Sequence, residues 1–244
     1  MSDSKRVALS VTCIVDQLFP EIGVATVELL RMAGYSVEFP EKQTCCGQPF
    51  SNSGFMPEAV KMAKQNIELF EPYDYIVLPN GSCTAMMRVE YLHYLENDPQ
   101  WHTRAEALSK KTYELSEFLV RVADWKPVAS PNAPSVTFHA SCHTKRLLGM
   151  HETPRALLAA AGCKIIEMED PDRCCGFGGV FCVRMADISN AMTRTKLDLA
   201  LKTGADLMVT VDPGCMMQMQ GLLKEKSTTF RIQHLANFLL EVSK

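Results

Sequence analysis

Arg173-Cys174-Cys175-Gly176-Phe177-Gly178-Gly179 echoes an earlier Thr44-Cys45-Cys46-Gly47, and the two stretches sit in matching frames. Cys13 precedes the first by the same interval at which Cys142 precedes the second, and a further cysteine, Cys83 or Cys215, follows each pair at a similar distance. Self-similarity on this scale marks a duplicated structural unit. The surroundings repeat as well. Val7-Ala-Leu-Ser-Val-Thr-Cys13 parallels Val136-Thr-Phe-His-Ala-Ser-Cys142, Asp74-Tyr-Ile-Val-Leu78 parallels Asp206-Leu-Met-Val-Thr210, and Leu115-Ser-Glu-Phe-Leu119 parallels Leu235-Ala-Asn-Phe-Leu239. Between the copies, Lys126-Pro-Val-Ala-Ser-Pro-Asn-Ala-Pro134 holds three prolines, which cannot continue a helix or a central strand. Two domains are expected, 1–126 and 127–244.

Within each copy short apolar runs alternate with helical periodicity. Strands are expected at Arg6–Thr12, Ser36–Phe39 and Tyr75–Pro79, and helices at Glu21–Ala33, Pro57–Phe70 and Thr84–Glu96, with the second copy following suit. The charged stretch Glu106–Glu117 carries Leu108, Leu115, Phe118 and Leu119 at helical spacing and reads as an amphipathic helix. Strand–helix alternation predicts an α/β fold of two pseudo-symmetric repeats, each a mostly parallel sheet flanked by helices. Ligands of such sheets gather beyond the carboxyl ends of the strands, so the distant cysteines are expected to converge on one rim.

At 244 residues the chain can bury a full core without disulfides or metal, so its ten cysteines need another explanation. A net charge of -3 provides no basic field for nucleic acid or an acidic membrane. The start, Lys5-Arg6 followed by Val7–Val15, imitates a signal peptide, but Asp16 follows the run and a similar segment recurs at Ser135–Ser141. No apolar run approaches the roughly 18 to 20 residues of a membrane helix. A soluble, cytoplasmic protein is expected, in a compartment where clustered thiols more often hold metal than form disulfides.

Thiolates are the soft ligands of iron–sulfur clusters, and four complete the usual shell of a [4Fe–4S] centre. Each copy supplies four: Cys13, Cys45, Cys46 and Cys83, then Cys142, Cys174, Cys175 and Cys215. Adjacent cysteines reach one cluster only if the backbone turns sharply, which Gly47 and Gly176 permit. Zinc competes, although its ligand pairs are usually spaced by a few residues, and a redox-active thiol pair is a third reading. Cys163 reads as core, and Cys182 as packing ahead of ligation. His139, His143 and Arg146 surround Cys142 and are candidates to hydrogen-bond cluster sulfur, tune its potential or meet an anionic partner, with helix-start packing and a solvent salt bridge as equal alternatives.

On these residues the chain resembles the cysteine-rich CCG-domain family, whose members include the catalytic subunit of heterodisulfide reductase and the iron–sulfur subunit of glycolate oxidase. The resemblance implies an iron–sulfur electron-transfer subunit of a complex oxidising L-lactate to pyruvate. It also implies partners, a ferredoxin-type iron–sulfur subunit and a third lactate-utilization subunit. A glycolate oxidase iron–sulfur subunit, a heterodisulfide-type thiol–disulfide reductase and an assembly subunit holding zinc at one site are the alternatives. The heterodisulfide reductase motif ends in Cys-x-x-Cys, giving five cysteines for a noncubane cluster, whereas here Met86 follows Cys83 and Gln218 follows Cys215. The chain has no ferredoxin cysteine run and no Gly-x-Gly-x-x-Gly fingerprint, so electrons are expected to enter from a partner.

Overall fold

In the computed structural model, which describes residues 6–243, the chain divides into two compact units that part between Ala123 and Asp124. The start of the signal-like segment, Lys5, lies outside the described residues. Residues 124–134, with their prolines, form neither helix nor strand.

The first unit is built on four strands, β1 (Arg6–Leu9), β2 (Ser36–Glu38), β3 (Tyr75–Leu78) and β4 (Thr112–Glu114). They lie in the order β2-β1-β3-β4 and every pairing is parallel, with Ala8 opposite Glu38 on one side and Ile76 on the other. The second unit repeats the plan with β5 (Ser135–His139), β6 (Lys164–Ile165), β7 (Leu207–Thr210) and β8 (Arg231–His234) in the order β6-β5-β7-β8, again all parallel. Parallel sheets need cover on both faces, and the central strands show it: Val7, Ala8, Ile76, Val77, Leu78, Val136, Phe138 and Leu207 are fully buried. The expected α/β repeats are therefore present. Of the edge strands, β2 has three residues, β4 three, β6 two and β8 four.

Helices fall close to expectation at Pro20–Met32 and Met56–Phe70. The expected Thr84–Glu96 helix begins earlier, at Gly81, and passes through a π-helical turn, Met86–Glu90, before resuming at Tyr91–Tyr94. The reading of Glu106–Glu117 as one helix is corrected. Its helix, Pro99–Lys110, stops, and Thr112–Glu114 joins the sheet beside β3. Lys111 anchors the break by donating from Nζ to the carbonyls of Glu71 and Tyr73, both at 2.7 Å. The apolar positions are still buried, because Leu108 packs from the helix while Leu115, Phe118 and Leu119 pack from the turns after β4. Glu114, the last residue of β4, caps those turns by accepting from the backbone N–H of Ser116 at 2.7 Å and of Glu117 at 3.3 Å. Its other oxygen, Oε1, is buried without a partner. Burial lifts the carboxyl from its ordinary 4.5 to about 7 against these hydrogen bonds.

Candidate metal centre

In a sheet ordered β2-β1-β3-β4 the chain winds one way from β1 to β2 and the other way to β3, so a crevice opens beyond the ends of β1 and β3. Cys13 follows β1 and opens the helix Cys13–Leu18, while Cys83 lies in the first turn of the helix that follows β3. The Cys45-Cys46 turn reaches the same crevice from the end of β2. Gln43 fastens it there: its Oε1 accepts from Val11 N at 2.8 Å, and its Nε2 donates to the carbonyls of Leu9 at 3.2 Å and Pro40 at 3.1 Å. The loop after β1 and the loop after β2 are thereby tied together.

The result is a gathered quartet. Cys13 Sγ lies 3.9 Å from Cys45 Sγ, and Cys46 Sγ lies 3.3 Å from Cys83 Sγ. Gly47 adopts a left-handed φ of 91° that brings its N–H within 3.5 Å of Cys45 Sγ. Both cysteine carbonyls are pinned from behind, that of Cys45 by Asn66 Nδ2 at 3.0 Å and that of Cys46 by the Tyr91 hydroxyl at 2.8 Å. Asn80 caps the Cys83 helix, its Oδ1 accepting from Ser82 N at 3.1 Å and Cys83 N at 3.2 Å. The same side chain donates to Thr12 Oγ1 at 3.4 Å. Thr12 holds φ 71° and ψ 148°, a conformation nearly confined to glycine, immediately before Cys13.

The second unit builds its quartet with different second partners. The thiols act on one another in the same sequence, Cys142 on Cys174, Cys174 on Cys175 and Cys175 on Cys215. Gly176, at φ 90°, donates to Cys174 Sγ at 3.4 Å, and Phe177 N donates to Cys175 Sγ at 3.4 Å. The Thr193 hydroxyl donates to Cys175 O at 2.7 Å and that of Ser189 to Gly176 O at 2.8 Å. Gln218, standing where the five-cysteine pattern has its last thiol, donates to both hydroxyl oxygens at 3.1 Å. Its first-unit counterpart, Met86, is buried, with the Tyr94 hydroxyl 3.7 Å from Sδ. A Cβ on Gly214 would come 2.5 Å from the Phe177 ring, so this glycine lets the ring seat against the turn that carries Cys215.

The electrostatics are alike in both units. The hydrogen bond from Cys13, then that from Cys46, holds the Cys45 thiol down at about 3, and those from Cys142 and Cys175 hold Cys174 at about 2. Donating to Cys45 and to Cys174 raises Cys13 and Cys142 far above the ordinary thiol range. Each quartet thus centres its first negative charge on the leading cysteine of the pair. Exposure is graded too: Cys13 is exposed and Cys45, Cys142 and Cys174 are half-buried, whereas Cys46, Cys83, Cys175 and Cys215 are buried.

His143 Nδ1 stands 3.5 Å from Cys142 Sγ. Arg146 is exposed on the same π-helical turn, where its charge adds to that of Lys145 in lowering the Asp172 carboxyl. Cys163 is buried and lifted by that burial to about 11, and Cys182 donates to Gly179 O at 3.0 Å. Of two further side chains at this site, His139 was a candidate in the sequence and Lys196 emerges only in the structure. His139 is fully buried within the second quartet's floor, its imidazole lowered by burial, then by the charge of Lys196, to about 3. Lys196 is itself buried, lowered by burial to about 8, and donates to Pro171 O at 2.8 Å.

A duplicated parallel α/β unit with four thiols at each rim defines a cysteine-rich domain protein, and the profile of the cysteine-rich CCG domain matches residues 7–88 and again 136–220. The chain belongs to this family. It is similar to lactate utilization protein A of an Exiguobacterium species, at 45% identity over 97% of each chain. It is similar also to lactate utilization protein A of Bacillus subtilis, at 43% identity over 96% of this chain and 98% of that one. Among solved structures, a hypothetical protein from Helicobacter pylori shares the fold, with a TM-score of 0.69 and 12% identity over 98% of this chain and 49% of the other. No helix among the described residues is long and apolar enough to cross a membrane.

Proposed function

We propose that the two quartets, Cys13, Cys45, Cys46 and Cys83 and Cys142, Cys174, Cys175 and Cys215, hold iron–sulfur clusters, and that the chain passes electrons within a cytoplasmic complex oxidising L-lactate to pyruvate. The observation that carries this reading is the meeting of four thiols from three separate segments in each unit, with Cys46 and Cys83 at 3.3 Å. The residues fit such a group. All donors are soft sulfur, the left-handed glycines turn the vicinal pair so that both thiols serve one site, and backbone N–H groups already point at Cys45, Cys174 and Cys175. When bound, a cluster of this kind supplies one-electron transfer.

The protein's part is to hold and orient the thiols, to keep the inner pair of each quartet dry and to leave an outer edge at which a partner can approach. The name borne by the relatives favours a role in lactate utilization, and the partners in this reading are a ferredoxin-type iron–sulfur subunit and a third lactate-utilization subunit. Anaerobic purification followed by iron and acid-labile sulfide analysis tests the reading. Protein that stays colourless and free of both after reconstitution rejects it. Zinc as the sole metal, with no redox signal, favours an assembly role instead.

A further inference from the structure

The two quartets repeat one another, but what surrounds them does not. In the aligned frames Ser10 of the first unit corresponds to His139 of the second. His139 ends β5 with its side chain fully buried, and neither Nδ1 nor Nε2 has a hydrogen-bond partner. A buried imidazole with both nitrogens unmatched is costly, and a bound ion is one of the standard reasons such a group persists. Its surroundings say which ion chemistry is at hand. A ring nitrogen of His139, Cys175 Sγ and Cys215 Sγ all lie within 4.8 Å of one another, and all three residues are buried.

We infer that His139 is a nitrogen ligand of the metal centre in the second unit, a fifth donor beside Cys142, Cys174, Cys175 and Cys215 that the first unit lacks. The inference rests on the metal-cluster reading of the quartets and adds to it that the two centres differ in kind. The first unit offers sulfur alone, and Ser10 has no donor that can replace an imidazole at a soft metal site. Gln218 is committed to the Ser189 and Thr193 hydroxyls, which leaves the buried imidazole as the additional donor at this rim. His139 reaches the centre from the carboxyl end of β5, on the buried side beside Cys175 and Cys215. Lys196 reinforces the asymmetry. It occupies the helix position corresponding to Asn66 and its charge acts on Cys175 and Cys215.

The test is made on the full chain, purified anaerobically after growth with 15N-labelled histidine. Pulsed EPR of the iron-loaded protein is expected to show nitrogen directly bonded to one of its two centres. Where metal analysis finds zinc in the second unit, zinc-edge X-ray absorption is expected to show nitrogen among the nearest neighbours. The nitrogen signature should vanish in His139→Ser and His139→Gln and persist in His143→Gln, which removes the other imidazole near Cys142. Iron-loaded wild-type protein with sulfur coordination alone at both centres overturns the inference while leaving the cluster reading intact. So does a nitrogen signal that survives both His139 substitutions or disappears with His143. Protein that binds no metal in its second unit overturns both.

Discussion

Replacing the glycine of each Cys-Cys-Gly turn by alanine separates two costs that are hard to tell apart in a single site. Both glycines have a left-handed φ, 91° at Gly47 and 90° at Gly176, so alanine pays about 1–2 kcal/mol at either position for that conformation. Their surroundings differ. A Cβ at Gly47 would meet Met62 Cβ at 3.2 Å, a contact that a small shift relieves. A Cβ at Gly176 would stand 2.5 Å from Ser189 O and 2.8 Å from Thr193 Oγ1, and neither yields freely. The first is helix backbone, and the second is the hydroxyl that pins Cys175 O. Overpacking of this sort costs a further ~1–3 kcal/mol. Gly47→Ala should therefore lose about 1–2 kcal/mol and Gly176→Ala about 2–5 kcal/mol, the gain from a stiffer unfolded chain being common to both. Urea unfolding of the metal-free, reduced variants measures the difference. Equal losses, or a larger one for Gly47→Ala, would show that the turn in the second unit is not held against its helix as described.

Three further outcomes are expected. Glu114 holds its proton more tightly when folded, about 7 against an ordinary 4.5, so its contribution to stability falls as pH rises through that window and levels off above it at a cost of about 3 kcal/mol. The stability of Glu114→Gln relative to wild type should accordingly improve from pH 5 to pH 8, and a difference independent of pH contradicts the buried-carboxyl assignment. Asn80→Ala removes the cap from the Cys83 helix and the tie to Thr12, for a loss of about 1–2 kcal/mol. It should also lower metal retention in the first unit more than in the second, as metal analysis of variants lacking one quartet would report. In metal-free protein, brief alkylation read by mass spectrometry should label Cys45, a half-buried thiol with a lowered pKa, well before the buried Cys46 and Cys83; simultaneous labelling argues against the closed inner pair.

Much of this was legible in the sequence, for physical reasons. Central strands of a parallel sheet are continuous apolar runs, and the stretches around Val7, Ile76 and Val136 read as such. The β4 segment was not legible, because Leu108, Leu115 and Leu119 keep helical spacing across a three-residue strand. Duplication singled out the eight cysteines that the structure brings together in two groups. Asn66, Tyr91 and Lys196 carry no local signal, since what matters about them is the backbone or charge they meet from a distant helix. His139 was visible beside Cys142, but only its complete burial, with both nitrogens unmatched, distinguishes it from His143.

The brevity of β2 and β6 bears on what can pair with those two sheet edges. A partner that binds by lengthening a sheet needs a row of free N–H and C=O groups, and β2 and β6 offer three residues and two. Such docking would form few main-chain bonds. On those two sides, selectivity among companions falls to side chains on the loops beyond the strand ends, the part of each unit that can change its surface without disturbing the layers beneath.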